Sequence, residues 1–198
     1  PFATTYPWYA LVELFDSTAG SSLAQLLEGA LGEAAEAGLV TDAVIAASEA
    51  QRLALWELRE NTSDAQKAEG VSVKHDVSVP VSRIVEFIEE GDRALRAAFP
   101  GIRTVAFGHV GDGNLHYNAF PPPGEKPDFG EWTPRVNRVV YDIVRRLGGS
   151  ISAEHGIGTL KRDELPHYKS ALEMELMRTV KRSLDPRGIM NPGKVLRP

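Results

Sequence analysis

The sequence predicts an α+β fold: an antiparallel sheet with helices packed on one face, ferredoxin-like and long enough to be duplicated, followed by a C-terminal helical segment and tail. Three observations predict it. Strand-like and helix-like stretches alternate as β-α-β-α-β-α-β-β-α. A turn at Gly111 to Asn114 joins two of the strands as a hairpin, which makes them antiparallel. One run, Val71 to Val79, alternates apolar and polar residues, the pattern of a strand covered on one face only.

Taken in order, Tyr6 to Phe15 is rich in aromatic and branched residues and reads as a strand. Ser21 or Ser22 caps a helix that runs to about Ala37 and ends at Gly38. Asp42 to Ser48 reads as a second strand, and Ala50 to about Asn61 places apolar residues at helical spacing before a polar run to Gly70. In the third strand Val71, Val73, His75, Val77 and Val79 share one face, and Ser72, Lys74, Asp76 and Ser78 share the other. Pro80 opens a helix that continues to Phe99 and stops at Pro100-Gly101. Arg103 to Val110 and Leu115 to Phe120 form the hairpin, PPPGEKP is a loop, and Trp132 to Leu147 is a long helix halted by Gly148-Gly149. Short helices around Lys161 to Tyr168 and Ala171 to Leu184 precede a tail too rich in Pro and Gly to be helical.

With 198 residues and 42% hydrophobic content the chain can bury a substantial core. Its net charge of −5 offers no footprint for nucleic acid or anionic lipid. The lack of cysteine excludes disulfides, thiolate metal sites and cysteine nucleophiles, so any metal must use nitrogen and oxygen ligands. Neither GxGxxG nor GxxxxGK[ST] occurs, so nothing in the chain is built to wrap a nucleotide's phosphates. No apolar run approaches the roughly 20 residues that span a bilayer, and the expected location is cytoplasmic. The chain begins almost at once in strand-like sequence without a methionine, which suggests a fragment or a processed piece.

Two stretches carry the candidate chemistry: FGHVGDGNLHYNAF, Phe107 to Phe120, and ISAEHGIG, Ile151 to Gly158. If Gly111 to Asn114 is a four-residue loop, Val110 pairs with Leu115, His109 with His116 and Phe107 with Asn118. Both imidazoles then lie on one face and can bind a single ion. Asn118 extends that patch, and Asp112 shapes the turn. The plain alternative is that both histidines are ordinary strand residues. Glu154-His155 shifts the balance, because a carboxylate and a third imidazole sit in glycine- and serine-rich sequence after a helix stop. Two nitrogens and one carboxylate oxygen make a three-ligand set with open positions, suited to zinc or another divalent metal. On extended chain adjacent side chains point opposite ways, so one of Glu154 and His155 should bind and the other act. Arg59 and Lys74 form a second candidate group that could hold an anion, each with a surface-cation alternative. Asn191-Pro192-Gly193-Lys194 is either a plain terminal turn or a segment that threads back to a ligand. His75, His167 and the tryptophans Trp8, Trp56 and Trp132 read as structural.

GHVGDGNLHYN, SAEHGIGTLKRDEL and LDPRGIMNPGKVL together resemble the C-terminal, substrate-binding domain of FAD-linked oxidases of the vanillyl-alcohol oxidase superfamily, in the branch of D-2-hydroxyacid dehydrogenases such as the D-lactate, D-2-hydroxyglutarate and glycolate dehydrogenases. The resemblance implies that residues 1–198 form that domain and that FAD is bound mainly by a separate N-terminal domain absent from this chain, without which the chain should be inactive. It implies a divalent metal, zinc, on His109, His116 and Glu154, with His155 as the catalytic base. Arg59, Lys74, Ser63 and Asn118 would line the substrate, and Asn191 would face the cofactor. Ser63 replaces a threonine of some members, keeping the hydroxyl and losing a methyl. The implied partners are a small 2-hydroxy acid, the chain's own FAD domain and an electron acceptor, with no nucleic acid; a homodimer is compatible. The alternative function is a free-standing metal-dependent hydrolase that uses the His-His-Glu site to activate water.

Overall fold

The structure is a computed structural model that describes residues 1–17 and 22–197. The chain divides into two compact units, residues 1–70 and 71–198.

The second unit is built on the alternating run. Val73–Ser78 forms β1, a short 3-10 turn covers Val81–Arg83, and α4 runs from Ile84–Ala98, after α1 (Leu23–Glu36), α2 (Glu49–Glu60) and α3 (Thr62–Ala68) of the first unit. The hairpin strands are β2, Arg103–His109, and β3, Asn114–Phe120, followed by α5, Phe129–Arg146. The sheet order is β1-β3-β2, with both pairings antiparallel. An antiparallel bridge between Ser78 and Ser150 then lays the chain after α5 along the free side of β1. The result is a β-α-β-β-α-β sequence in which the last strand has shrunk to one bridge, a split βαβ topology that agrees with the ferredoxin-like expectation.

Alternation decides which face is buried. Val73, Val77, Leu115, Tyr117 and Ala119 point to the helix side and meet Phe87 and Leu95 of α4 and Val136, Val140 and Val144 of α5, all buried. His75 lies among them, 1% exposed, with Nδ1 2.8 Å from the Tyr117 carbonyl oxygen and Nε2 3.0 Å from the Asn137 side chain, so its structural reading holds. Trp132 packs edge-on against Phe99 and Phe129, whereas Trp8 stays 66% exposed. The opposite face of the sheet is left for the polar residues.

The second unit closes with α6, Leu165–Tyr168, and α7, Ala171–Leu184, the latter opened by a capping box between Ser170 and Glu173. The tail beyond is not helical, as its Pro and Gly content predicts.

The first unit departs from expectation. It holds α1, Leu23–Glu36, α2, Glu49–Glu60, and α3, Thr62–Ala68, and no strand among the described residues. Tyr6 to Phe15 and Asp42 to Ser48, expected as strands, run as irregular chain. Residue type favours a strand only where a neighbouring strand accepts its backbone groups, and none is present among the described residues of this unit. A second ferredoxin-like half is therefore not formed there. Ser22 stands at the start of α1 without a side-chain cap bond, and Ser21 lies outside the described residues. The polar stretch after α2 forms the additional helix α3.

Candidate active site

The hairpin register differs from the expected one. Phe107 pairs with His116, Gly108 with Leu115 and His109 with Asn114. The expected pairs His109 with His116, Val110 with Leu115 and Phe107 with Asn118 do not form. Val110–Asp112 closes instead into a 3-10 turn, Gly113 follows at φ +74°, and the ladder therefore runs on to Asn114. The shift is two residues, an even number, so His109 and His116 still share a face. Asp112 shapes the turn as expected, its Oδ1 accepting the Asn114 N–H at 3.0 Å.

Three rows of side chains stand on the open face: Lys74, Asn118 and Val105; Asp76, His116 and Phe107; and Ser78, Asn114 and His109. The structure thus brings Lys74, Asn118, His109 and His116 onto one surface across three strands. The Phe107 and His116 rings lie 4.9 Å apart. Arg59 and Ser63 belong to the first unit, in the last turn of α2 and at the start of α3. They stand four residues apart across Asn61, whose backbone (φ −74°, ψ −4°) stays helical.

The loop after the Ser78–Ser150 bridge supplies the remaining groups. It is bent, not extended. The carboxylate of Asp76, 2% exposed, accepts the N–H groups of Ala153 at 3.0 Å, Glu154 at 3.1 Å and His155 at 3.0 Å, and the Ser152 hydroxyl at 3.3 Å. Burial alone would raise the pKa of this carboxyl. The N–H groups of Glu154, His155 and Ala153 outweigh that and hold it below the usual range, so it stays an anion. Three consecutive N–H groups turned to one point fold the loop so that both Glu154 and His155 reach His116. This corrects the expectation that they point opposite ways. Lys161 braces the same loop, its half-buried ammonium donating to the Ile151 carbonyl at 2.7 Å and the Asp76 carbonyl at 3.2 Å; burial lowers its pKa.

Glu154 lies between the two hairpin histidines, Oε1 3.7 Å from His109 Nε2 and Oε2 3.6 Å from His116 Nε2. Donors on a tetrahedral ion bound at ordinary zinc distances are about 3.3 Å apart, and each of these contacts, made through a different carboxylate oxygen, is longer than that. A different group, Asp76, His116 and His155, has its donor atoms all within 4.8 Å of one another. The Asp76 oxygens, however, already accept four hydrogen bonds from the loop. Glu154, 48% exposed, is the freer carboxylate, but the group whose donors converge among the described residues is Asp76, His116 and His155.

His155 stacks on His116 with ring centroids 5.6 Å apart and planes 28° from parallel. Its Nδ1 faces Asp76 Oδ2 at 4.0 Å, and the side chain is 66% exposed. An imidazole held beside His116 and Glu154, with one nitrogen toward a buried carboxylate and the ring largely exposed, can take a proton from a group bound there.

The tail does thread back. Val195 N–H donates to the Gly158 carbonyl at 2.8 Å, Arg162 to the Gly193 carbonyl at 2.7 Å, and Arg197 to Asp163 at 2.8 Å. Asn191, in the left-handed region at φ 46°, is exposed and accepts the Lys194 N–H. Sequence reasoning passed over Asp76 and Lys161. The available signal for Asp76 was its place two residues from Lys74, on the strand face that also carries the histidines.

Comparison with known proteins bears on what this arrangement does. The family model described as FAD linked oxidases, C-terminal domain, matches residues 1–195. The chain is 41% identical over 196 residues to a D-2-hydroxyglutarate dehydrogenase of Stutzerimonas stutzeri, covering 98% of this chain and 42% of that protein. It is 39% identical to the D-2-hydroxyglutarate dehydrogenase of Xanthomonas citri pv. viticola, over 98% of this chain and 41% of the relative. With the mitochondrial D-2-hydroxyglutarate dehydrogenase of Danio rerio the identity is 37%, over 98% of this chain and 35% of the relative. The chain thus spans about two fifths of the length of such relatives. No helix among the described residues is long and apolar enough to cross a membrane.

Proposed function

Since the chain belongs to the family of FAD linked oxidases, C-terminal domain, we propose that it is the substrate- and metal-binding part of an FAD-dependent dehydrogenase that converts a D-2-hydroxy acid to the 2-oxo acid. The relatives' names point to D-2-hydroxyglutarate as that acid. In this reading residues 1–198 are one functional module, and a separate domain of the whole protein holds the flavin. The observation that carries it is the placement of His155, stacked on His116 and one residue from Glu154.

His109, His116 and Glu154 would hold the metal, zinc. A bound divalent cation lowers the pKa of a coordinated hydroxyl. His155 takes the proton of the substrate's 2-hydroxyl while its Nδ1 stays toward Asp76. FAD, when bound by the whole protein, would supply the acceptor for the C2 hydrogen as hydride, which balances the proton that His155 takes as the C–O bond becomes a carbonyl. Arg59 and Lys74 bind carboxylate oxygens, Arg59 best through two parallel hydrogen bonds, and thereby fix the direction of C2. Asn118 and Ser63 line the substrate, and Asn191 contributes on the cofactor side.

The test is anaerobic mixing of the full-length flavoprotein with D- and L-2-hydroxyglutarate, D-lactate and glycolate. Bleaching of the flavin by a D-2-hydroxy acid, slowed by about 10²- to 10⁴-fold in His155→Ala, is the expected result. Ester hydrolysis without bleaching would favour the hydrolase instead.

A further inference from the structure

The last strand of the sheet shrinks to one bridge, and the groups that stop it there can be named. At the bridge, Ser78 N–H donates to the Ser150 carbonyl at 3.0 Å and Ser150 N–H donates to the Ser78 carbonyl at 2.8 Å. In an antiparallel ladder such a doubly bonded pair recurs at every second residue, so the next would join Asp76 to Ser152. The groups that pair needs are bonded elsewhere. The Asp76 carbonyl accepts the Lys161 ammonium at 3.2 Å, while the Ser150 hydroxyl accepts the Ser152 N–H at 3.3 Å and donates to the Ser152 carbonyl at 2.8 Å. The same ammonium donates to the Ile151 carbonyl at 2.7 Å, and the Lys161 N–H donates to the Ile157 carbonyl at 3.1 Å, so this one residue closes the loop from its far side.

We propose that Lys161, aided by the Ser150 hydroxyl, is the positioning residue of His155: by occupying the Asp76 carbonyl it stops the ladder at Ser150 and turns residues 152–155 off the sheet edge toward His116. A ladder continued through Ser152 would hold these residues extended, with successive N–H groups pointing to opposite sides. They could not then converge on one carboxylate. In the structure the N–H groups of Ala153, Glu154 and His155 all meet the Asp76 side chain, and the His155 ring stacks on His116. An ammonium suits the task because it has three donors and no acceptor, so it holds two carbonyls and offers nothing that would draw the loop's N–H groups away from Asp76. Its partners are backbone carbonyls, so it acts through the loop and not on the substrate.

The effect on catalysis rests on His155 acting as the base, and the test separates the two ideas. In the full-length flavoprotein, amide hydrogen exchange read by mass spectrometry on peptides spanning residues 150–158 follows the loop itself, and anaerobic flavin bleaching by D-2-hydroxyglutarate follows the chemistry. Lys161→Met, of similar length without donors, should speed exchange of the Ala153, Glu154 and His155 amides. It should also slow bleaching at saturating acid about 10- to 100-fold. The acid concentration that half-saturates the rate should stay at its wild-type value, because the carboxylate is assigned to Arg59 and Lys74. A general loss of stability would not split rate from affinity in this way. Unchanged exchange, or weaker binding of the acid with the rate kept, overturns the proposal. If Lys161→Met fails to fold, Ser150→Ala decides, since it frees the Ser152 backbone for the ladder: the same changes in smaller measure are expected, and unchanged exchange and rate overturn it. A wild type that no 2-hydroxy acid bleaches sinks the functional reading, with the exchange comparison still deciding what holds the loop.

Discussion

At the scale of single residues, Asp76 holds the loop of residues 152–155 in place. Its anion gathers the N–H groups of Ala153, Glu154 and His155. Asp76→Ala would leave those donors buried and unpaired, and should lower the free energy of unfolding by about 3 kcal/mol. Urea denaturation checks this, and an unchanged midpoint would deny the role. His75, one residue away and on the other face, sets a pH dependence. Burial lowers its pKa from 6.5 to about 4, against the opposing pull of its hydrogen bonds to Tyr117 and Asn137. The folded imidazole stays neutral down to that value, while the unfolded one protonates near 6.5. Between the two the unfolded state binds the extra proton, so stability falls as pH drops from 6.5 toward 4, by roughly 3 kcal/mol at most, and this group costs nothing further below that. Denaturation of wild type and His75→Asn at pH 7 and pH 4.5 should show the component in the wild type only.

At the scale of elements, the hairpin and the loop after α5 are set by backbone contacts that few side chains tolerate. Gly113 sits at φ +74°, and a Cβ there would lie 2.0 Å from the Val79 carbonyl oxygen. Gly113→Ala should therefore lower the melting temperature, by the equivalent of more than about 1 kcal/mol. Gly111, where an added Cβ meets nothing within 4 Å, should accept alanine with little change. Equal melting of the two variants would contradict this. The hairpin itself was legible from two apolar runs around a glycine turn, as was the shared face of His109 and His116. Its register was not, because a 3-10 turn and a four-residue loop use the same residues and differ in backbone geometry that residue identity does not fix. The convergence of Glu154 and His155 on His116 was equally hidden. It depends on Asp76, whose buried carboxylate lies 78 residues away along the chain from Glu154.

At the scale of the whole molecule, the α+β class and the helices on one face follow from alternation and spacing that local sequence carries. The strands expected at Tyr6 to Phe15 and Asp42 to Ser48 do not appear, because a strand is completed by a neighbour, and the neighbour is not written in the strand. The tail is a similar case: its Pro and Gly content excludes a helix, but the return to Gly158 and Arg162 depends on distant backbone groups. The proposed function assigns a division of labour to the open side of the second unit's sheet, in which Glu154 would bind a metal beside the two hairpin histidines and its neighbour His155 would act. The most direct measurement of that division is zinc titration of purified His155→Ala alongside His109→Ala. The account predicts wild-type stoichiometry and affinity for His155→Ala and loss of tight binding for His109→Ala. Loss of zinc from His155→Ala with retention by His109→Ala would place the ion on Asp76, His116 and His155 and contradict it.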